Sequence, residues 1–81
     1  MKLNSRNENF GGDNLKEILG SRIRELRKEK GLTQFYLAIE LGYKHSSIIS
    51  EIESGKKSLN AEKLPTVAKA LDVEINKLFF E

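Results

Sequence analysis

The stretch from residue 33 to residue 55 constrains the fold most, because it holds two short helical patterns separated by a short turn that contains Gly42. Thr33 is a good N-cap for a helix over residues 34–41, and Gly42 ends that helix. A second helix is predicted over residues 46–53, with Ile52 and either Ile48 or Ile49 facing inward. The first helix has an inner row of Leu37, Ala38 and Leu41. Two helices this short, joined by a turn of this kind, are predicted to cross steeply.

Helical patterns also flank this pair. A helix capped by Asp13 or Asn14 is predicted to run to Gly31, and another begins at the cap Asn60. Pro65 weakens the first turns of the helix that begins at Asn60. A last short helix, capped by Asp72, ends in residues 78–80. Apolar rows predict the buried faces, with Leu15, Ile18, Leu19, Arg22, Ile23 and Leu26 on the first helix, and Leu64, Val67, Ala68 and Leu71 on the fourth. Five short helices without a strand pattern predict a compact all-α domain with a helix-turn-helix at its centre.

Length and composition narrow the class of protein. A chain of 81 residues is expected to form one small domain. Cysteine is absent, so no disulfide or thiolate site is available. No run of about 18 apolar residues exists, and residues 1–10 lack the apolar core of a signal peptide. We therefore expect a soluble cytoplasmic protein with no membrane contact.

Charge is distributed unevenly along the chain. The formal net charge is only +2, but residues 14–31 carry six basic and three acidic groups, a local net charge of +3. This excess permits a nucleic-acid partner, but the charge alone favours a solvated surface. Residues 1–13 are polar and rich in Asn and Gly, so they are predicted to form a mobile arm ahead of a domain at residues 14–81.

From residue 19 to residue 78 the chain resembles the phage-repressor and Cro-like helix-turn-helix family, often called the Xre family. The resemblance implies a five-helix, lambda-repressor-like DNA-binding domain. It also implies a homodimeric transcriptional regulator that binds an inverted-repeat operator in double-stranded DNA. The residues that carry the resemblance are Arg22-Ile23-Arg24-Glu25-Leu26-Arg27, Gly31-Leu32-Thr33-Gln34, Leu37-Ala38, Leu41-Gly42, Ile49, Ile52-Glu53, Gly55-Lys56 and Ala68-Lys69-Ala70-Leu71.

The resemblance implies roles for three polar residues near the helix pair. Arg27 and Glu53 resemble the family's ion pair between the first helix and the end of the reading helix, the alternative being two solvated charges. Gln34 would contact a DNA phosphate or brace the reading helix, the alternative being an exposed cap residue.

The reading helix departs from the common family spacing by one inserted residue, which we place in the turn near residues 43–45. With that placement, the base-reading residues are Ser46, Ser47, Ser50 and Glu51, whose hydroxyl and carboxylate groups can bond base edges. Lys44 and His45 then lie in the turn, within reach of phosphates. Lys56 and Lys57 follow the reading helix, where they either grip the DNA backbone or form an ordinary basic loop.

No pattern of catalytic or metal-binding residues accompanies these motifs. His45 is the only histidine, and no carboxylate is placed to orient it beside a serine, so we expect neither an enzyme nor a metal or other cofactor. Leu78, Phe79 and Phe80 are too apolar for a free tail, and they either fold back onto the core or form a dimer contact. The size also resembles that of restriction-modification controllers and, equally, of antitoxins with a toxin partner. A regulator with this domain alone would act by steric block or by contacting RNA polymerase. The alternative from a different class is a protein-interaction module with the same fold.

Overall fold

The structure, a computed structural model, describes residues 13–79. Within that range the fold is entirely helical, which confirms the predicted class. The number of helices differs from the expected five, because the last predicted helix is a four-residue 3₁₀ turn. The elements are α1 (Asp13–Glu29), α2 (Gln34–Glu40), α3 (Ser47–Glu53) and α4 (Leu64–Ala70), with 3₁₀ turns at Ala61–Lys63 and Ile75–Leu78.

The predicted arm lies almost wholly outside the described residues, since only Asp13 belongs to the structure, as the first residue of α1. Phe80 also lies outside. Between residues 13 and 79 no helix is long and apolar enough to cross a membrane.

One buried cluster joins all four helices, and the predicted apolar rows of α2 and α4 contribute to it. The predicted row of α1 is buried only in part. Leu15 and Ile18 are about half exposed, at 49% and 47%, because the first two turns of α1 extend beyond the core. The buried apolar residues are Ile23, Leu26, Leu37, Ala38, Leu41, Ile49, Ile52, Val67, Ala68, Leu71 and Leu78.

Both ends of α2 follow local chemistry. The Thr33 side-chain oxygen accepts a hydrogen bond from the backbone N–H of Tyr36 at 2.9 Å, as an N-cap should. At the other end Gly42 adopts a left-handed φ of 84°. Its N–H donates to the carbonyl of Ile39, and the next N–H donates to the carbonyl of Ala38. This is a Schellman ending, which fixes where the chain leaves α2.

The ends of α4 follow the sequence only in part. Asn60 was predicted to cap this helix, but its side chain accepts a hydrogen bond from the N–H of Glu62 and caps the 3₁₀ turn Ala61–Lys63 instead. Helix α4 itself begins at Leu64, and Pro65 lies in its first turn, where its missing N–H is tolerated. Asp72 was predicted to cap a fifth helix, and this is wrong. Asp72 has a φ of 58° and lies just after α4, where a left-handed residue closes the helix. The last 3₁₀ turn is preceded instead by Glu74, which makes no side-chain cap bond.

Helix α1 touches the backbone of α3 directly. A Cβ atom added at Gly20 would lie 2.0 Å from the carbonyl oxygen of Ile52, which is far inside van der Waals contact. Only a glycine permits the two helices to approach this closely. No local signal in the sequence indicates this contact, because Gly20 stands in a good helical pattern and its partner lies 32 residues away. This contact sets the distance between α1 and the end of α3.

Candidate nucleic-acid interface

The end of α3 is held by a buried ion pair with α1. Arg27 Nε donates to Glu53 Oε2 at 2.7 Å and Arg27 Nη2 donates to Glu53 Oε1 at 3.1 Å. The two side chains are only 10% and 2% exposed. Arg27 Nη1 also donates to the carbonyl of Leu32 at 2.8 Å, so the guanidinium is bonded on three of its donors. This bidentate geometry fixes the orientation of α3 against α1.

A second helix bonds the same carboxylate. Gln34 Nε2, at the start of α2, donates to Glu53 Oε1 at 3.0 Å. Of the two roles that the resemblance implies for Gln34, bracing the reading helix is therefore the one present in the structure. Glu53 accepts hydrogen bonds from side chains on both preceding helices, and all three elements meet at this carboxylate.

The remaining face of α3 points to solvent. We call Ser46, Ser47, Ser50 and Glu51 the outer face, and Ile49, Ile52 and Glu53 the inner face. Ser47 and Ser50 are exposed, while Ser46 and Glu51 are partly exposed. Ser46 stands at the N-cap position without a side-chain cap bond, and the Glu51 carboxylate lies 3.7 Å from the Lys57 ammonium. The outer face thus presents three hydroxyl groups and one carboxylate, the predicted base-reading set.

The buried residue of α3 fixes the register of that set. Ile49 is 1% exposed, whereas Ile48 is only partly buried. The structure therefore has the register with Ile49 facing inward, which requires one extra residue before the reading helix. Six residues, 41–46, separate α2 from α3.

The turn between the helices is held by a contact that the sequence did not indicate. Lys63 Nζ donates to the carbonyl of Leu41 at 3.0 Å and lies 5.1 Å from the ring centroid of Tyr43. A partner 22 residues away leaves no local signal in the sequence. Lys44 and His45 follow directly and are exposed, as a phosphate contact would require.

Two more cations lie just past α3. The backbone N–H groups of Lys56 and Lys57 both donate to the carbonyl of Glu51, at 2.9 and 3.1 Å, so this loop folds back on the helix end. Both lysines are exposed.

Part of the net positive charge of α1 is engaged in contacts within the protein. Arg27 is buried, and Arg22 donates to the carbonyl of Lys77 and to the carboxylate of Glu25.

The apolar C-terminal residues do not all behave as one contact surface. Leu78 is completely buried in the core of a single chain, so of the two roles that the sequence left open it has the core position, and its burial contradicts the dimer contact. The 3₁₀ turn directs Leu78 inward, and no side-chain surface remains for a second copy. Phe79 packs against the same core but stays partly exposed. Phe80 lies outside the described residues.

The described residues hold no cluster of three or more His, Asp or Glu side chains that could bind a metal ion.

Comparison with known proteins agrees with this architecture. A helix-turn-helix domain family matches residues 20–80. The restriction-modification controller protein C.AhdI from Aeromonas hydrophila is similar at 35% identity and a TM-score of 0.73, over 82% of this chain and 98% of that one. The clp gene regulator ClgR from C. glutamicum is similar at 33% identity and a TM-score of 0.72, over 79% and 82% of the two chains. No curated protein matches significantly.

The family match spans the elements that form the site, from Gly20 on α1 through the last 3₁₀ turn. The resemblance carried by the sequence motifs is confirmed by this match and by both structural neighbours. The chain therefore belongs to the helix-turn-helix domain family, together with regulators of the Xre and Cro type.

Proposed function

We propose that this chain is a sequence-specific transcriptional regulator that binds double-stranded DNA as a homodimer on an inverted-repeat operator. The observation that carries the proposal is the division of α3 into two faces. The inner face is fixed by the bidentate pair of Arg27 with Glu53, while the outer face is left to solvent. An α-helix held in this way fits the major groove of B-DNA.

The outer face would read bases. Hydroxyl groups of Ser46, Ser47 and Ser50 can donate to or accept from base edges, and the carboxylate of Glu51 can accept from the amino group of cytosine. Since these side chains are short, the helix has to approach the base edges closely. That approach needs neighbouring cations that engage the phosphates.

Exposed side chains that can bond phosphates lie on both sides of the reading helix. Lys44 and His45 precede it, and Lys56 and Lys57 follow it. Contacts from these groups to phosphates would set the register of the protein on the duplex without reading sequence. Gln34 braces α3 through its bond to Glu53 and, since it is partly exposed, it stays a candidate for a phosphate contact.

Two copies are needed for useful affinity, because one short reading helix offers few base contacts. A two-fold dimer would place two such helices about 34 Å apart, on successive turns of the major groove. Phe79 and Phe80 remain the apolar residues proposed for the dimer contact. Within this role, we favour a controller-like regulator that acts in the cytoplasm. It would regulate transcription either by blocking RNA polymerase or by contacting it, and it would catalyse no reaction.

Selection of bound duplexes from a randomised pool at near-physiological salt tests this function. The parent chain should enrich an inverted repeat, and Lys44→Glu, run in parallel, should lose or blunt the enrichment. Lys69→Glu makes the same charge reversal at an exposed site on α4 and should select as the parent does. If the folded parent enriches no sequence, the proposal fails.

A protein-interaction module, such as an antitoxin with a toxin partner, is the second candidate. The observation that favours it is an apolar patch on the solvent side of α2, where Phe35 is 60% exposed and Ile39 is 51% exposed. Tyr36 lies beside them and is also exposed. Exposed apolar groups clustered in this way are typical of an interface.

The double variant Phe35→Ser with Ile39→Ser separates the two candidates, because DNA selection and toxin co-purification should respond to it differently. A DNA-binding regulator keeps its selected sequence in this variant, because neither side chain lies on the outer face. A protein-interaction module loses a co-purifying toxin in the same variant, while Ser46→Ala leaves that association intact.

A further inference from the structure

We propose that Lys63 is a positioning residue for DNA recognition, which acts by clamping the turn between α2 and α3 and does not itself contact DNA. This inference rests on the proposed function. Lys63 is the last residue of the 3₁₀ turn that leads into α4, and its ammonium reaches back 22 residues along the chain to the turn.

The first half of the clamp closes the end of α2. Lys63 Nζ donates to the carbonyl of Leu41 at 3.0 Å, and Leu41 is the C-cap residue of that helix. The last carbonyls of a helix have no partner within the helix and carry partial negative charge. A lysine ammonium at this point satisfies such a carbonyl and ties α2 to the start of α4.

The second half of the clamp is the ring of Tyr43. The Lys63 ammonium lies 5.1 Å from the ring centroid, within the range of a cation–π contact. Tyr43 is itself anchored, because its N–H donates to the carbonyl of Ala38 at 2.9 Å and its side chain packs against the core. The ammonium therefore contacts the residues on both sides of Gly42, the left-handed pivot of the turn.

The residues just after the clamp are those proposed to meet DNA first. In the described part of the chain, the side chains of Lys44 and His45 are exposed and make no hydrogen bond or ion pair. Ser46 is not held by a cap bond either. Their position relative to α3 is therefore set by the backbone, and the nearest side-chain anchor upstream is the contact of Lys63 with Tyr43.

The test compares two lysine variants with the same loss of charge. Lys63→Met keeps the aliphatic stem and removes the ammonium, and Lys69→Met does so at an exposed site on α4. Affinity for the selected duplex, for single-base variants of it and for unrelated DNA is measured at several salt concentrations.

Lys63→Met should weaken binding to the selected duplex by roughly 3- to 30-fold, with relaxed base preference, because the start of α3 is no longer held in place. Binding to unrelated DNA and the slope of log affinity against log salt should not change, because no phosphate contact is lost. Lys69→Met should match the parent in every measurement. Lys63→Arg should keep most of the base preference, since arginine can also donate to the carbonyl of Leu41 and stack on the ring of Tyr43.

A decrease of about 0.9 in the salt slope of Lys63→Met would mean that Lys63 contacts a phosphate directly, and would overturn the proposal. Identical behaviour of Lys63→Met and Lys69→Met would overturn it as well. If the parent selects no duplex, the proposed function fails and this role fails with it.

A measurement without DNA tests the clamp itself. In NMR spectra of the parent, the ring of Tyr43 should shift the Lys63 side-chain methylene protons upfield relative to those of Lys69, and Tyr43→Leu should abolish that shift. Methylene protons of Lys63 at the same position as those of Lys69 in the parent would overturn the clamp, whatever the DNA result.

Discussion

The two faces of α3 differ in almost every physical respect although they belong to one seven-residue helix. On the inner face Glu53 is 2% exposed and accepts three hydrogen bonds from α1 and α2, and the carbonyl of Ile52 lies against Gly20. On the outer face the serine side chains make no hydrogen bond that the structure describes. Stability is concentrated on one side of the helix and recognition on the other, so changes on the two sides should have separable effects.

The largest effect is expected from breaking the ion pair on the inner face. Arg27→Ala leaves the Glu53 carboxylate buried without its charged partner, which should lower the free energy of unfolding by about 3 to 5 kcal/mol. Urea denaturation measures this. Arg24→Ala removes an exposed arginine from the same helix and should change the unfolding free energy by less than about 0.5 kcal/mol. Equal effects of the two variants would refute the structural role of the pair.

Crowding the contact between α1 and α3 should give the next largest effect. In Gly20→Ala the new methyl group collides with the carbonyl of Ile52, so the helices must separate, at a cost of about 1 to 3 kcal/mol. Thermal unfolding compared with Ser21→Ala, at an exposed site, provides the control. A Gly20→Ala protein more stable than the parent would contradict the contact, since alanine is otherwise favoured in a helix by about 1 kcal/mol.

On the outer face the expected effect is on sequence preference and not on unfolding. Glu51→Ala should reduce discrimination at one base pair of the half-site by about 1 to 3 kcal/mol, because the acceptor for that base is lost. Its exposed ion pair with Lys57 contributes little to stability. Competition binding with single-base variants of the selected duplex measures this. Glu62→Ala, at an exposed glutamate beyond α3, should leave every preference intact, and a Glu51→Ala profile like that of Glu62→Ala would remove Glu51 from the reading set.

The smallest effect is expected at the turn before α3. Lys44→Ala should weaken binding to all sequences alike and reduce the salt slope by about 0.9, because one phosphate contact is lost. Lys69→Ala, which removes a charge from α4, should leave the slope unchanged. A Lys44→Ala variant that altered the preference at a single base pair would place Lys44 among the reading residues instead.

Features set by neighbouring residues were predictable from the sequence. The cap at Thr33 and the helix end at Gly42 depend on chemistry within four residues, and both are present as expected. The apolar rows of α2 and α4 also lie in the core, because helical periodicity determines which side of a helix is apolar.

Features that depend on distant partners were not predictable from local patterns. The Arg27–Glu53 pair, 26 residues apart, was expected only because the chain resembles a known family. Gly20 and Lys63 meet their partners 32 and 22 residues away, and neither has a local pattern. Asp72 was misplaced because aspartate suits both an N-cap and a left-handed helix end, and only the course of the chain after α4 decides between them. For Leu78 the sequence left a core position and a dimer contact open, because an apolar C-terminus fits a core and an interface equally well.

The division of α3 into a structural and a reading face is tested most directly by removing all three hydroxyl groups of the outer face. The variant Ser46→Ala with Ser47→Ala and Ser50→Ala is compared with the parent in thermal midpoint and in affinity for the selected and unrelated duplexes. The structure predicts a midpoint no lower than that of the parent, retained binding to unrelated DNA, and loss of preference for the selected sequence. A triple variant that still preferred the selected sequence as strongly as the parent would contradict it.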